Sequence, residues 1–512
     1  MDKPIQPLQN YIKSLGIHPN VSSILPTTLA TLYKFPEGAT GKGQTVGVIE
    51  LGGGYNLSDI QQYRSSIGIT GAPPIVDVSV DGGSNPGVVS AAFVSGEDME
   101  VNLDIQIITL IAPEAAIRVY FAPNSFNGFI NCVRRATQDN CNIISISWGL
   151  SEIYWPSQYI SSFNTALKAA SDRNISVFCA SGDNGATDGT PTLCVDFPAS
   201  SPYSTGCGGT SITVSDSAIV SETVWNNNPT SSATGGGRSV VFAKPSWQSN
   251  LTGTFRCVPD VSGHADPNMG YRIFIAGSYF AVGGTSAVSP LWSAYIARVN
   301  EKRLSAVGFY NPVLYTSLGA LCGDVTQGDN GGYSSSVGWD FCTGWGSPTA
   351  RLTTAFLEQS PITSSFTATP LSGRAPLTVS FRDTSSFNFT VTSRLWNFGN
   401  GSTSTLQNPV QTFRTPGRYT VVLTVNGTFS VTGYVNALPA PPVASFRSLT
   451  VTFSDTSTNS PTSWLWSFGD GGSSTQQNPT YTFPRAGRYT VSLVATNAAG
   501  SSVRFSKVLT LS

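Results

Sequence analysis

The sequence predicts an α/β domain followed by two all-β sandwich domains, and three observations support this fold class. Residues 45–350 alternate short apolar runs with longer helical patterns, as a sheet covered by helices requires. Beyond residue 360 the composition changes to alternating Thr, Ser and Val between turn residues, which is typical of β-structure. That tail also contains an internal repeat. We therefore predict an α/β domain at 1–360 and sandwiches at 361–438 and 442–512.

The α/β domain should contain a largely parallel sheet flanked by helices. Its strand candidates are apolar almost throughout, as strands covered on both faces should be. These strand candidates are residues 45–50, 117–121, 142–147 and 175–180. The helix candidates, which show a helical apolar period, are residues 99–111, 161–171 and 289–299.

The repeat in the tail defines two similar units. The segment SRLWNFGNG at 393–401 recurs as SWLWSFGDG at 463–471, and GRYTV at 417–421 recurs at 487–491. Strand-like runs separated by Gly, Asn and Asp turns favour two small β-sandwiches, each with one buried Trp, over a solenoid. The proline-rich residues 438–442 should form a semi-rigid spacer between them.

The composition of the chain argues against two classes of binding partner, nucleic acids and anionic membranes. The chain of 512 residues has 28 Lys and Arg against 29 Asp and Glu, and only 11% of its residues are charged. Such a balance gives no electrostatic attraction to nucleic acid or to an anionic membrane. We find no apolar run long enough to span a membrane and no secretory signal at the start of the chain.

All eight cysteines lie in the first 360 residues, and none forms a CxxC pair. Two pairs are candidates for disulfides: Cys322 with Cys342, and Cys132 with Cys141, which are close in sequence. Buried free thiols are the alternative for both pairs.

A serine precedes the helical run at 289–299. Ser286 lies in Gly-Thr-Ser-Ala-Val-Ser-Pro, residues 284–290, where a helix N-terminus would favour an anion developing beside a nucleophile. An N-terminal cap of the helix explains the same pattern equally well, because Ser and Thr are common there.

A serine nucleophile needs a base, and the chain has only two histidines, His18 and His264, neither with an orienting carboxylate nearby in sequence. Glu100 and Asp104 offer another base, because residues at i and i+4 share one helix face. Two carboxyls within hydrogen-bonding reach hold a proton between them, which suits acid conditions. A solvated acidic helix face is the alternative, although apolar neighbours at 103–108 favour burial.

Several motifs appear in the order typical of one family, and the match spans most of residues 30–350. The chain resembles the sedolisins, the serine-carboxyl peptidases, which share the subtilisin-like fold. The motifs are Gly-Thr-Ser-x-x-x-Pro around Ser286, Glu-x-x-x-Asp at Glu100 and Asp104, Ser-Ile-Ser-Trp-Gly at 145–149, Ser-Gly-Asp at 181–183, Pro-Asp-Val at 259–261 and the strand with its glycine turn at 46–54.

The resemblance implies an acid-active peptidase, either an endopeptidase or a tripeptidyl-peptidase, that cleaves protein or peptide substrates through an acyl-enzyme. It assigns Ser286 as nucleophile, Glu100 as general base, Asp104 as its partner and Asp183 as the oxyanion-hole residue, which would have to be protonated. Judged on residue type alone, Asp183 in Ser-Gly-Asp-Asn-Gly is a turn former. A His-dependent hydrolase using His264 is a further alternative.

The sedolisin resemblance also nominates a calcium site on glycine-rich loops, with Ca²⁺ as the single structural ion. Its ligands would be the side chains of Asp324 and Asp340 and the backbone carbonyls of Val325, Ser336 and Gly338. Hard oxygen donors of this kind suit Ca²⁺.

The two repeated units resemble polycystic-kidney-disease-type (PKD) domains, an immunoglobulin-like family. This resemblance implies either a passive spacer or a binding role toward a surface, matrix or protein ligand, and a catalytically inactive binding protein is therefore the alternative function. Sedolisins usually carry an N-terminal prodomain; here the first strand begins near residue 45, so we expect none in this chain. We expect a monomer, located outside the cell or in an acidic compartment.

Overall fold

An eight-stranded sheet forms the centre of the α/β part, and its core strands are parallel. The strands are β1 (Thr45–Glu50), β2 (Ile75–Ser79), β3 (Ala116–Phe121), β4 (Ile143–Ile146), β5 (Ser176–Ala180), β6 (Thr205–Ser215), β7 (Ala218–Val224) and β8 (Val261–His264). Their order in the sheet is β7-β6-β5-β4-β1-β3-β2, and β8 pairs parallel with β6. Only β7 is antiparallel to its neighbour. All four strand candidates from the sequence lie in this sheet.

The structure is a computed structural model, and it describes residues 5–7, 10–12, 22–71, 75–358, 364–386, 391, 393–425, 429–444 and 449–512. These residues divide into two units, Met1–Leu438 and Pro439–Ser512. No helix in the described ranges is long and apolar enough to cross a membrane.

Helices cover both faces of the sheet. Alternate residues of each strand point to opposite faces, so Val46 and Val48 pack in one apolar cluster and Ile49 in the other. The helices are α1 (Pro26–Leu32), α2 (Leu57–Ser66), α3 (Gly96–Ile111), α4 (Phe126–Gln138), α5 (Ser157–Asp172), α6 (Val288–Arg303) and α7 (Ala350–Glu358). Apolar residues of α3 and α6 belong to the first cluster, and those of α4 and α5 belong to the second. The predicted α/β domain with a largely parallel sheet flanked by helices is confirmed.

Four small sheets accompany the central sheet in the described residues of the α/β part, and the two larger ones have three and four strands. In one, Trp148–Ser151 pairs antiparallel with both Gln6–Pro7 and Asp196–Phe197. In the other, the hairpin of Gly270–Ile275 and Ser278–Gly283 is flanked by short strands. The hairpin leads directly into the turn before α6, and thereby sets the position of Ser286.

The first all-β unit, within Met1–Leu438, is a two-sheet sandwich. The strands are β9 (Phe366–Thr369), β10 (Ser372–Arg374), β11 (Leu377–Asp383), β12 (Arg394–Asn397), β13 (Thr403–Ser404), β14 (Val410–Phe413), β15 (Gly417–Val425) and β16 (Phe429–Leu438). One sheet has the order β9-β11-β14, and the other has the order β10-β16-β15-β12-β13. Trp396 is fully buried between the sheets, as predicted.

The second unit repeats this plan with fewer strands. The strands are β17 (Leu449–Thr452), β18 (Ser463–Ser467), β19 (Ser473–Ser474), β20 (Thr480–Phe483), β21 (Gly487–Asn497), β22 (Gly500–Ser501) and β23 (Phe505–Leu511). One sheet pairs β17 with β20. The other has the order β19-β18-β21-β22, and β23 also pairs with β21. Trp466 is buried here, with 7% of its surface exposed.

All eight cysteines are buried free thiols. Neither Cys322 with Cys342 nor Cys132 with Cys141 forms a disulfide, so the thiol alternative applies to both pairs. Burial raises the pKa of Cys141 to about 11. A thiol held neutral in this way behaves as a small apolar side chain.

Candidate active site

Ser286 lies in the turn that joins the hairpin to α6. Gly284 adopts a φ of 109°, which favours glycine, and the single helical turn Thr285–Ala287 then continues into α6. The serine side chain is fully buried. Its hydroxyl donates to the Oε2 atom of Glu100 at 2.9 Å. The N-cap residue of α6 is Ala287 and no side chain caps this helix, so the helix-cap alternative for Ser286 is wrong.

Glu100 and Asp104 stand one turn apart on α3, as the spacing predicts. Ser95 begins this helix with a reciprocal cap, in which its side chain accepts from the Asp98 amide and the Asp98 side chain accepts from the Ser95 amide. From Met99 onward every α3 residue is buried, including both acids. The solvated acidic face is therefore wrong for Glu100 and Asp104.

Ser147 links the second acid to the nucleophile. It follows β4, and its hydroxyl lies 2.8 and 2.9 Å from the two carboxyl oxygens of Asp104 and 3.2 Å from the carbonyl of Ser286. Asp104 is thereby held against the turn that carries the serine. The Ser-Ile-Ser-Trp-Gly segment contributes this positioning hydroxyl.

Glu50 is a third buried acid that the sequence reasoning did not assign to the site. It ends β1 and has no exposed surface, and its Oε2 accepts from the indole nitrogen of Trp148 at 2.9 Å. Burial, and then the charge of Asp104, raises the pKa of Glu50. The feature of the sequence that could have indicated Glu50 is an acidic residue at the end of an apolar strand.

The three carboxyls hold protons more tightly than exposed acids do. Burial, followed by the charges of Asp104 and Glu50, raises the pKa of Glu100 well above its ordinary value, and the Ser286 hydrogen bond opposes this shift. Burial likewise raises the pKa of Asp104 and of Glu50. Since neighbouring carboxyls in a dry site cannot all ionise, the cluster retains protons at pH values where exposed acids have lost them.

Asp183 reaches the same turn from the end of β5. It is 4% exposed, and its Oδ1 accepts from both the amide and the hydroxyl of Thr285, each at 2.8 Å. The Gly182 amide in turn donates to the Thr285 hydroxyl at 3.2 Å. The carboxyl is therefore fixed beside the residue that precedes the nucleophile.

Further buried acids lie behind Asp183. Asp196 is 1% exposed, and burial followed by the charges of Asp188, Glu152 and Asp183 raises its pKa well above the ordinary value. The sequence reasoning did not single out Asp196. The feature of the sequence that could have indicated a buried Asp196 is its position between two apolar residues, in Val-Asp-Phe.

His264 is not part of this arrangement. It is fully buried in β8, its Nε2 lies 2.9 Å from the carbonyl of Met269, and its ring stacks on Tyr271. Burial lowers the pKa of His264. His18 lies outside the described residues.

The five residues of the predicted calcium site lie on loops that converge. The Oδ2 of Asp324 accepts from the Gly338 amide at 2.9 Å, and the Oδ2 of Asp340 accepts from the Ser336 amide at 3.1 Å. Val325 adjoins Asp324 and is 1% exposed. Both carboxylates thus reach the segment 336–338, and the donor set is oxygen only, which fits a hard cation.

Within the described ranges, however, no group of three or more His, Cys, Asp or Glu side chains is arranged to hold a metal ion. A cation at these loops would therefore depend on backbone carbonyls as well as on the two carboxylates. Asp340 is also committed to backbone amides, because its Oδ1 accepts from Cys342 at 2.8 Å and Thr343 at 2.9 Å.

Comparison with known families gives two matches. The family model described as the subtilase family matches residues 87–314, and the one described as the PKD domain matches 358–438 and 441–511.

Among curated proteins, kumamolisin of Bacillus sp. (strain MN-32) is 43% identical over 343 residues, which covers 63% of this chain and 61% of that protein. Sedolisin of Pseudomonas sp. (strain 101) is 33% identical over 358 residues, covering 63% and 59% respectively. The chain thus spans about three fifths of the length of these relatives.

Among solved structures, Pseudomonas sedolisin, a serine-carboxyl proteinase complexed with two molecules of pseudo-iodotyrostatin, is 30% identical with a TM-score of 0.58. The alignment covers 66% of this chain and 98% of that one. Nearly the whole of that structure thus has a counterpart in this chain, and together with the subtilase match this confirms the predicted subtilisin-like fold.

Proposed function

The chain belongs to the sedolisin family of serine peptidases, and from that membership we propose that it hydrolyses peptide bonds through an acyl-enzyme formed on Ser286. The observation that carries the proposal is the 2.9 Å hydrogen bond from the Ser286 hydroxyl to Glu100. A hydroxyl donating to a carboxylate at this distance is arranged to lose its proton as it attacks a carbonyl carbon.

In the proposed first step, the Oγ of Ser286 bonds to the carbonyl carbon while its proton passes to Glu100. Glu100 must be ionised at this point, and the buried Asp104 then carries the proton that the cluster retains. A protonated Asp183 donates to the oxygen on which negative charge develops, and Thr285 holds that carboxyl in place. The carbon–nitrogen bond breaks as Glu100 returns the proton to the leaving amine.

In the proposed second step, water hydrolyses the acyl-enzyme and regenerates Ser286. It attacks the ester carbon, Glu100 takes its proton, and the carbon–oxygen bond to Ser286 breaks as that proton returns to the serine. The rate should therefore fall in strong acid, where Glu100 is protonated, and again at higher pH, where Asp183 ionises and stops donating. The expected profile is a bell with its maximum in acid.

The experiment is a pH profile from about 3 to 8 for cleavage of a quenched fluorescent peptide library. We expect an acid maximum in the wild type that disappears in Glu100→Ala and Ser286→Ala and survives in His264→Gln. Neutral activity that is insensitive to Glu100 would contradict the mechanism. A wild type that folds but cleaves no peptide would favour the binding-protein alternative.

We also propose that Ca²⁺ stabilises the loops at 324–340. The carboxylates of Asp324 and Asp340 and the carbonyls of Val325, Ser336 and Gly338 would hold it, and the ion would offset the repulsion between the two acids. This proposal is supported by the approach of both carboxylates to the segment 336–338.

Thermal unfolding in excess chelator tests the calcium proposal. We expect the Tm to fall and to recover when Ca²⁺ is added back, because an ion bound only by the folded state stabilises it. Asp340→Asn should remove the response to chelator. Asp216→Asn, an exposed acid in a turn elsewhere, should keep it. A wild-type Tm that does not respond to chelator would contradict the site.

A further inference from the structure

The N-terminal segment of the chain pairs with a strand that lies next to the nucleophile. Gln6 lies opposite Gly149 and Pro7 lies opposite Trp148, in an antiparallel arrangement. Another strand of the same small sheet takes the other edge of Trp148–Ser151. An extended peptide that adds a strand here must therefore use the edge at which Gln6 and Pro7 lie.

This edge leads directly to the reacting atoms. Ser147 precedes the strand, and its carbonyl oxygen lies 3.3 Å from the hydroxyl of Ser286. The N-terminal segment pairs a second time close to the nucleophile, since Asn10 lies opposite Gly283, three residues before Ser286. The backbone of this segment therefore marks, at two places, where an extended peptide can lie beside Ser286.

The register of the first pairing assigns positions to the residues of a bound substrate. A peptide in the register of Gln6 and Pro7 places its next residue opposite Ser147, beside the Ser286 hydroxyl. That residue takes the first position, and its carbonyl is the one that Ser286 attacks. Counted from the cleaved bond toward the amino terminus, Pro7 then marks the second position, Gln6 the third and Ile5 the fourth.

The side chain in the fourth position is buried. Ile5 is 2% exposed and belongs to the apolar cluster that contains Trp148 and Leu150. Continuing the register by one residue puts Ile5 opposite Leu150, and side chains of opposite residues lie on the same face of the pair. The side-chain amide of Asn124 donates to the Ile5 carbonyl at 3.0 Å. Gln6, in the third position, is exposed instead.

We propose that Leu150 and Asn124 form a fourth subsite, which takes an aliphatic side chain of the substrate, and that the enzyme is therefore an endopeptidase. This inference rests on the proposed peptidase function. A tripeptidyl-peptidase removes three residues from a free amino terminus, so its substrate has no residue in the fourth position. Here the residue in that position, Ile5, has a buried side chain and a hydrogen-bonded carbonyl.

The N-terminal segment and a substrate compete for this edge. A peptide can pair with Trp148–Ser151 only after Gln6 and Pro7 have left it. Replacing Ile5 by Ser weakens the internal competitor, because burial of an aliphatic side chain stabilises the bound form. Peptide binding should therefore tighten in Ile5→Ser.

The substrates are decapeptides with the sequence KPIQPLQNYI, residues 3–12, and a version with Ser in place of Ile5. Both are prepared with acetylated and with free amino termini, and mass spectrometry identifies the products. We expect the wild type to cleave the Ile peptide after its leucine, whether or not the amino terminus is acetylated. Its kcat/KM should exceed that of the Ser peptide at least about tenfold, since the Ser peptide buries no large apolar side chain.

Leu150→Ala tests the subsite, and Leu304→Ala is the matched control at a leucine that is 91% exposed. In Leu150→Ala the preference for the Ile peptide over the Ser peptide should fall at least about threefold, because the apolar partner of the isoleucine is shortened. Leu304→Ala should keep the preference. The ratio for two substrates of one enzyme is independent of the amount of folded protein, so a loss of stability alone leaves it unchanged.

Fluorescence polarisation of the labelled, acetylated Ile peptide measures the competition. The proteins are the full chain with Ser286→Ala and the same chain with Ser286→Ala and Ile5→Ser, in which no peptide is cleaved. We expect the second protein to bind the peptide at least about threefold more tightly.

Four results would overturn the proposal. Equal kcat/KM for the Ile and Ser peptides would remove the fourth subsite, and equal peptide affinity with and without Ile5→Ser would remove its occupation by Ile5. Release of the amino-terminal tripeptide from free peptides, without cleavage of acetylated ones, would identify a tripeptidyl-peptidase. Cleavage of the peptide library but of neither decapeptide would contradict the register. An enzyme that cleaves nothing, the library included, would instead refute the proposed peptidase function.

Discussion

Replacing Glu100 by Gln tests whether a buried carboxyl is kept at this position for catalysis at the expense of stability. The Gln side chain has the same size but can neither ionise nor take the Ser286 proton across the 2.9 Å hydrogen bond. We expect kcat to fall about 10²–10⁴-fold, the usual contribution of a general base, with little change in KM.

The effect on stability should have the opposite sign at neutral pH. Burial, then the charges of Asp104 and Glu50, raises the pKa of Glu100 in the folded state above its ordinary value of 4.5. A group of this kind stabilises the fold fully below its ordinary pKa and loses that contribution as pH rises toward the folded pKa. The loss is at most about 1.4 kcal/mol for each pH unit between 4.5 and the folded pKa of Glu100.

Gln avoids this loss, so Glu100→Gln should match the wild type near pH 4 and exceed it near pH 7. For a large domain about 1 kcal/mol corresponds to roughly 2 °C, so the Tm difference should grow by at most about 3 °C for each pH unit over which the loss accumulates. Differential scanning calorimetry at several pH values, beside peptidase assays on the same samples, measures both effects. The matched control is Glu97→Gln, the same change at an exposed position of α3.

Two results would refute this reasoning. Activity within about tenfold of the wild type would show that Glu100 is not the base. A Tm difference between Glu100→Gln and the wild type that is the same at pH 4 and pH 7 would show that ionisation of Glu100 does not govern its effect on stability.

Two further predictions concern Asp183 and the pH response of the whole α/β part. Thr285→Val removes one of the two donors to Asp183, so kcat should fall about tenfold or more and the alkaline limb of the profile should move, while Thr285→Ser restores both; equal profiles for Val and Ser would contradict this. Burial raises the pKa of Asp196 and of Glu152, so their contributions are fully present below the ordinary carboxyl range and are lost as pH rises. Burial lowers the pKa of His264, whose contribution is instead present above 6.5 and is lost in acid. Because the two carboxyls with a raised pKa outnumber His264, the Tm should be higher near pH 4.5 than near pH 7.5, and calorimetry showing the reverse order would contradict the balance.

The sequence predicted those parts of the site that rest on short patterns. Apolar runs identified the strands at 45–50 and 175–180, and the i, i+4 spacing placed Glu100 and Asp104 on one face of a helix that the structure contains. These features depend on neighbours within a few residues, so a linear pattern reports them directly.

Glu50 and Ser147 could not be found in the same way. Ser147 stands 43 residues from Asp104, and Glu50 stands 98 residues from Trp148, to which it is hydrogen-bonded. Only the packing of β1, β4 and α3 brings these groups together. The sequence also left the disulfides open, since cysteine spacing carries no information on the distance between side chains in the fold.

By itself, then, the sequence determined the order of the domains, the α/β and all-β patterns, and the types of side chain available for the chemistry. Tertiary structure decided which of them meet: the Ser286 hydroxyl reaches Glu100 across 186 residues of chain, and the same packing strips water from the acids and raises the pKa of Glu100. Periodicity is a local property, whereas burial and proximity arise only when distant segments pack.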